Sequence, residues 1–83
     1  MKKSIWDYSY ITLRKELKNI RKQADLTQSQ LAVLLEKHQS HVAKYELGER
    51  NLDYIEVIKV CTICGVVPEE FMKKFRSLTK DNK

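Results

Sequence analysis

The stretch LTQSQLAVLLEKHQSHVAKYELGER, residues 26–50, contains two short helical patterns a few residues apart. Thr27 stands where an N-cap belongs and Gln30 follows three residues later, the pairing of a capping box. Leu31, Leu34 and Leu35 then supply an apolar face, which predicts a helix over 28–35. Glu36 to His38 break the pattern. A second helix is predicted over 39–47, with Gly48 at its C-terminal cap. This second helix has little to bury. Val42 and Tyr45 can face inward, while Ser40, Ala43 and Lys44 occupy the opposite arc, with Gln39 and His41 at its edges. A helix that gives most of its surface to Gln, Ser, His and Lys is one that presents them.

Upstream, Leu13, Leu17, Ile20 and Ala24 recur at spacings of four, three and four, one stripe of an amphipathic helix. It is predicted over about 8–24, with Arg14, Lys15, Lys18 and Lys22 on its polar face. Downstream, Asp53 and Glu56 form another capping pair. They open a helix that carries Tyr54, Ile55, Val57, Ile58, Val60, Cys61 and Cys64, and Gly65 closes it. Pro68 suits the first position of a fifth helix, where Glu69 and Glu70 favour the positive end. Phe71, Phe75 and Leu78 form its stripe, and residues 79–83 are expected to fray. Two Gly and one Pro argue against an all-β fold rich in tight turns. The predicted class is all-α: one five-helix domain spanning 1–83, its core at about 8–78 and a helix-turn-helix at 27–48.

The composition fits one domain. The chain has 83 residues, 42% apolar and 33% charged. It contains no run of about 18 apolar residues, and its N-terminus lacks an apolar signal core. A cytoplasmic protein with no membrane partner is expected. The net charge of +5 is unevenly spread. Residues 1–24 carry seven Lys/Arg against two acids, residues 25–72 carry four against eight, and residues 73–83 carry five against one. Any nucleic-acid surface therefore rests on a few placed side chains and the basic first helix, not on bulk charge.

Two short helices with a brief turn between them, the second polar outside, describe a helix-turn-helix. Here the chain resembles the phage-repressor/Cro-like (XRE-type) DNA-binding domains. The likeness runs through residues 26–50, back through IRKQAD and forward through NLDYIEVIKVCTICGV. It looks most like small stand-alone regulators whose recognition helix reads QS-x-V-x-KYE. The L-T-Q start, Leu31-Ala32, Val42, Glu46 and Gly48 all fall in register.

The resemblance implies a sequence-specific, double-stranded-DNA-binding transcriptional regulator, a repressor acting as a homodimer on a roughly two-fold operator. It implies that Gln39, Ser40, His41 and Lys44 face base edges or flanking phosphates, and His38 beside them is expected to belong to the same DNA-binding surface. It also implies that Gln28, Lys37, Arg50 and Asn51 set register on phosphates, and that Arg21 pairs with Glu46. Gln pairs in bidentate fashion with adenine, and Lys reaches guanine O6/N7. The chain departs from the family at Glu36 and Asp25, where Gly is common, at His38, where Ser, Thr or Pro is common, and at Leu47, where a basic residue is frequent. A protein-interaction module of the same fold, such as a toxin-neutralising partner, is the alternative that the acidic middle of the chain, Glu36 and Leu47 keep open.

Other features receive plainer readings. Cys61 and Cys64 form C-x-x-C, but no second pair or nearby His completes a metal set, so core packing is expected. His38 and His41 lack a carboxylate or third ligand to make a metal or catalytic site. Trp6, Tyr8 and Tyr10 are expected to pack back onto the domain, with a dimer contact as the alternative. Lys73, Lys74 and Arg76 read as a solvated face. Val66, Val67, Phe71, Met72 and Phe75 cluster as a candidate dimer face. No nucleophile–base pair, phosphate loop, cofactor motif or small-molecule site is legible, and an enzyme is not expected.

Overall fold

The computed structural model describes residues 5–80, with side chains from Asp7 onward. Five helices follow one another: α1 Ile5–Gln23, α2 Gln28–Leu35, α3 Gln39–Leu47, α4 Tyr54–Ile63 and α5 Pro68–Thr79. No strand occurs among the described residues. The first helix starts three residues earlier than its apolar stripe predicts, and the other boundaries agree within a residue. The expectation for Trp6 and most of the frayed tail lie outside the described side chains.

Local chemistry sets the helix ends. Thr27 accepts from the Gln30 amide at 3.0 Å while Gln30 reaches back to the Thr27 amide at 2.9 Å. Asp53 and Glu56 repeat the reciprocal pair at 2.8 and 3.0 Å. Caps of this kind contribute about 1 kcal/mol each. Asp25 and Glu36 adopt left-handed conformations, φ 59° and 60°, at the ends of α1 and α2. These are two of the positions where the family often has glycine, and the chain turns there without it at a cost of about 1–2 kcal/mol each.

The apolar stripes converge on one core. It comprises Leu17 and Ile20 of α1, Leu31 and Ala32 of α2, Val42 and Tyr45 of α3, Val60 and Cys61 of α4, and Phe71 of α5. α1 packs against α3, α4 and α5, and α2 packs against α3 and α4. Each large side chain buried there stabilises by roughly 1.5–3 kcal/mol. Cys61 is fully buried, and burial pushes its thiol up to about 11, so it stays protonated and behaves as a small apolar group. Phe71 corrects the expected dimer face: at 5% exposure it belongs to the core and reaches the surface only at the lining of the groove between α4 and α5. Tyr8 and Tyr10 are 44% and 49% exposed, so they lie half out of the domain and do not pack fully onto it.

Candidate nucleic-acid interface

The packing of α3 decides which of its side chains point out. Val42 and Tyr45 are buried. Gln39, Ser40, Lys44 and Leu47 are exposed, and Ala43 is half-buried between them. The turn before α3 contributes Lys37 and His38, both exposed. His38 is the N-cap of α3 but makes no side-chain cap bond, unlike Thr27 and Asp53. Gln39, Ser40 and Lys44 therefore share one solvent-facing surface, with Lys37 and His38 at its entrance.

His41 was expected on that surface, and its side chain is only 11% exposed. Its Nε2 lies 3.4 Å from Glu56 Oε2 on α4, and its ring meets the Tyr45 ring edge-on with centroids 6.1 Å apart. Desolvation, helped by the positive charges of Arg50 and Lys37, pushes its pKa below the ordinary 6.5, and Glu56 opposes them only in part. His41 thus belongs to the seam between α3 and α4, not to the outward face. Arg50 approaches the same Glu56 oxygen at 3.8 Å with its side chain 47% exposed, and Asn51 is exposed beside it.

Beneath the outward face lies a chain of hydrogen bonds that ends on a buried ion pair. Arg21 grips Glu46 through Nε at 2.7 Å and Nη2 at 3.1 Å, and donates from Nη1 to the Leu26 carbonyl at 2.8 Å. The two side chains are 8% and 3% exposed. The Glu46 carboxylate raises the Arg21 pKa against the opposing effect of burial. Gln28 donates from Nε2 to Glu46 at 3.0 Å, and Gln39 donates from Nε2 to Gln28 Oε1 at 2.7 Å.

Each link dictates the next. An ionised carboxylate only accepts, so Gln28 has to turn its amide nitrogen to Glu46 and its oxygen to Gln39. Gln39 must then offer its nitrogen to Gln28. This leaves one N–H and the carbonyl oxygen of Gln39 without a partner in the chain of bonds, on an exposed side chain; a glutamine amide with both groups available can pair with adenine N7 and N6. The sequence indicated the Arg21–Glu46 pair, Gln28 and Gln39 as separate features, and the structure links them in one chain. Glu56, which holds His41, is legible in the sequence only as a capping residue, because no local pattern tells which side chain it meets across the fold.

Among the described residues no group of three metal-ligating side chains converges, and no helix is long and apolar enough to cross a membrane. A helix-turn-helix family model matches residues 17–71, more than half of the chain. A solved XRE-family like protein from Pseudomonas syringae pv. tomato str. DC3000 is similar at 36% identity, with 90% of this chain and 92% of that one covered and a TM-score of 0.85. The restriction-modification controller protein C.AhdI from Aeromonas hydrophila is similar at 27% identity, over 75% of this chain and 94% of its own, with a TM-score of 0.67. No curated protein matches the chain. The helix pair, its polar outer face and these likenesses agree: the chain belongs to the XRE-type helix-turn-helix family of DNA-binding transcription regulators.

Proposed function

We propose that the protein recognises a specific double-stranded DNA sequence with α3 in the major groove, as a homodimer on a roughly two-fold operator, and represses the promoter it occupies. The observation that carries this reading is the fixed amide of Gln39, held through Gln28 on the buried Arg21–Glu46 pair. An oriented donor–acceptor pair is what discrimination between base edges requires. Ser40 and Lys44 share the same exposed surface, and we assign Gln28, Lys37, Arg50 and Asn51 to phosphate contacts that set register, Lys37, Arg50 and Asn51 being exposed and Gln28 half-buried. The likeness to a restriction-modification controller protein from Aeromonas hydrophila supports a regulatory role.

The dimer follows from information. A helix of nine residues touches few base pairs, and proteins of this class gain specificity from two half-sites about one turn, roughly 34 Å, apart. The pairing surface has to leave α3 free. Between α4 and α5 runs a largely apolar groove of about 350 Å³ whose walls include Tyr54, Ile58, Pro68 and Met72. Val67 is 57% exposed beside it, and Val66 and Phe75 are partly covered. This groove supports a face made by Val67, Met72, Tyr54 and Ile58 in place of the core residue Phe71. Selection of bound duplexes from random DNA tests the reading. Enrichment of paired half-sites about one helical turn apart is expected, and a pool that never departs from random would contradict it.

A further inference from the structure

Arg14 leaves the polar face of α1 and lies against the C-terminal end of α3. A Cβ placed on Gly48 would stand 2.7 Å from Arg14 Cζ and 2.9 Å from its Nε. Glycine therefore serves twice at this position. Its φ of 87° closes α3, and its missing side chain admits a guanidinium to the helix end. No carboxylate pairs with Arg14 among the described residues.

Arg14 borders a cavity of about 20 Å³ together with Tyr10, Tyr45, Arg50 and Asn51, and leucines complete the walls. Each of these five side chains can donate a hydrogen bond, and no carboxylate is among them. Tyr45 is 1% exposed and its hydroxyl has no hydrogen-bond partner among the described residues. Burial keeps that phenol protonated, so it is a donor in want of an acceptor. A buried polar group left in that state costs about 1–3 kcal/mol. The volume admits about one oxygen-sized atom, too little for a metabolite. What such a site lacks is one acceptor oxygen, and the two guanidinium groups on its wall favour one that carries negative charge. It lies at the loop that follows α3, which carries Arg50 and Asn51. Arg50 meets Glu56 only at 3.8 Å, with its side chain 47% exposed.

We propose that Arg14, with Arg50, Asn51 and the Tyr45 hydroxyl, seats one backbone phosphate of the bound duplex, one phosphate oxygen entering the cavity. This rests on the DNA-binding reading above and adds to it a clamp at the C-terminal end of α3, opposite the Gln28 end. It also assigns a task to Arg14, one of the basic residues of α1.

The test measures the affinity of the full chain for a random-sequence duplex over a range of salt, for the wild type, Arg14→Gln and Arg14→Lys. Loss of one phosphate contact flattens the dependence of log affinity on log salt by about 0.9, so Arg14→Gln should lose about 3.5-fold less affinity than the wild type between roughly 50 and 200 mM salt. Arg14→Lys keeps the charge and should keep the slope. Tyr45→Phe, which removes only the hydroxyl, should weaken binding by about fivefold without lowering the melting temperature, and it serves if Arg14→Gln does not fold. Equal slopes for wild type and Arg14→Gln would overturn the clamp, as would unchanged affinity in Tyr45→Phe. A wild type that binds no duplex at any salt would overturn the DNA-binding reading itself.

Discussion

The amide of Gln39 rests on the amide of Gln28 at 2.7 Å, although one belongs to α3 and the other to α2. That bond carries the orientation of the Arg21–Glu46 pair outward to the protein surface. A free glutamine on a helix has three rotatable bonds and an amide that flips, and ordering such a side chain on binding costs about 0.5–1.5 kcal/mol. Here that cost is largely met in the folded protein before any ligand arrives.

Gln28→Ala should therefore reduce discrimination more than stability. Gln28 is half-buried, and its removal is expected to change unfolding free energy by about 1 kcal/mol or less. The ratio of affinities for a selected duplex and a scrambled one should fall, with Gln39 still present. Urea unfolding and competition binding on the same preparation check both halves.

The buried ion pair separates stability from orientation. Arg21→Ala or Glu46→Ala leaves a buried charge without its partner and should destabilise by about 3–5 kcal/mol. Replacing both, Arg21→Met with Glu46→Leu, should restore most of that stability, because apolar packing substitutes well for a buried pair. Specific binding should not return, since Gln28 has lost the acceptor that orients it. A double variant that recovers both would show that the pair does not orient Gln28.

His41 gives the protein a pH dependence of definite sign. Its folded pKa lies below its ordinary 6.5, chiefly through desolvation and then through Arg50 and Lys37, with Glu56 pulling the other way. Protonation is thus harder in the folded than in the unfolded chain. The resulting stability is complete above 6.5 and is lost as pH falls through the depressed folded value. Urea midpoints at about pH 7.5 and about pH 5.5, bracketing the ordinary value, should fall further in the wild type than in His41→Gln. An equal fall in both would show that His41 does not contribute.

Phe71 and Met72 are neighbours with opposite expected roles. Phe71→Ala should cost about 3–5 kcal/mol because it empties part of the core. Met72 is 42% exposed on the α4–α5 groove, and Met72→Glu should leave the fold intact while disrupting self-association. Sedimentation should show the wild type at twice 9.8 kDa and Met72→Glu at 9.8 kDa. A monomeric wild type that still occupies a full two-fold site in a single step would contradict the dimer.

Helix ends were legible because their chemistry is local. Thr27 with Gln30, Asp53 with Glu56, and Gly48 each declare a boundary within four residues of sequence, and the structure agrees at all three. The stripe of Leu13, Leu17 and Ile20 likewise leads to the core. What sequence spacing left undecided was the fate of residues at the edge of a helix arc. His41 sits on such an edge, and Glu56 of α4, fifteen positions later, draws it inward. Phe71 and Met72 are both apolar and adjacent, and only the packing of α5 onto the core tells which one is covered. The approach of Arg14 to Gly48 joins residues 34 positions apart, and nothing local in the sequence signals it.

The central claim is that α3 reads base edges through a pre-oriented Gln39, and one comparison tests it most directly. The affinities of the wild type and Gln39→Ala are measured for a duplex selected by the wild type and for a scrambled duplex, at one salt concentration. The account predicts that Gln39→Ala weakens binding to the selected duplex by about 1–3 kcal/mol, with the preference lost at one base pair, and barely alters binding to the scrambled one. An equal loss on both duplexes would contradict it, because Gln39 would then be holding the DNA backbone and not reading its sequence.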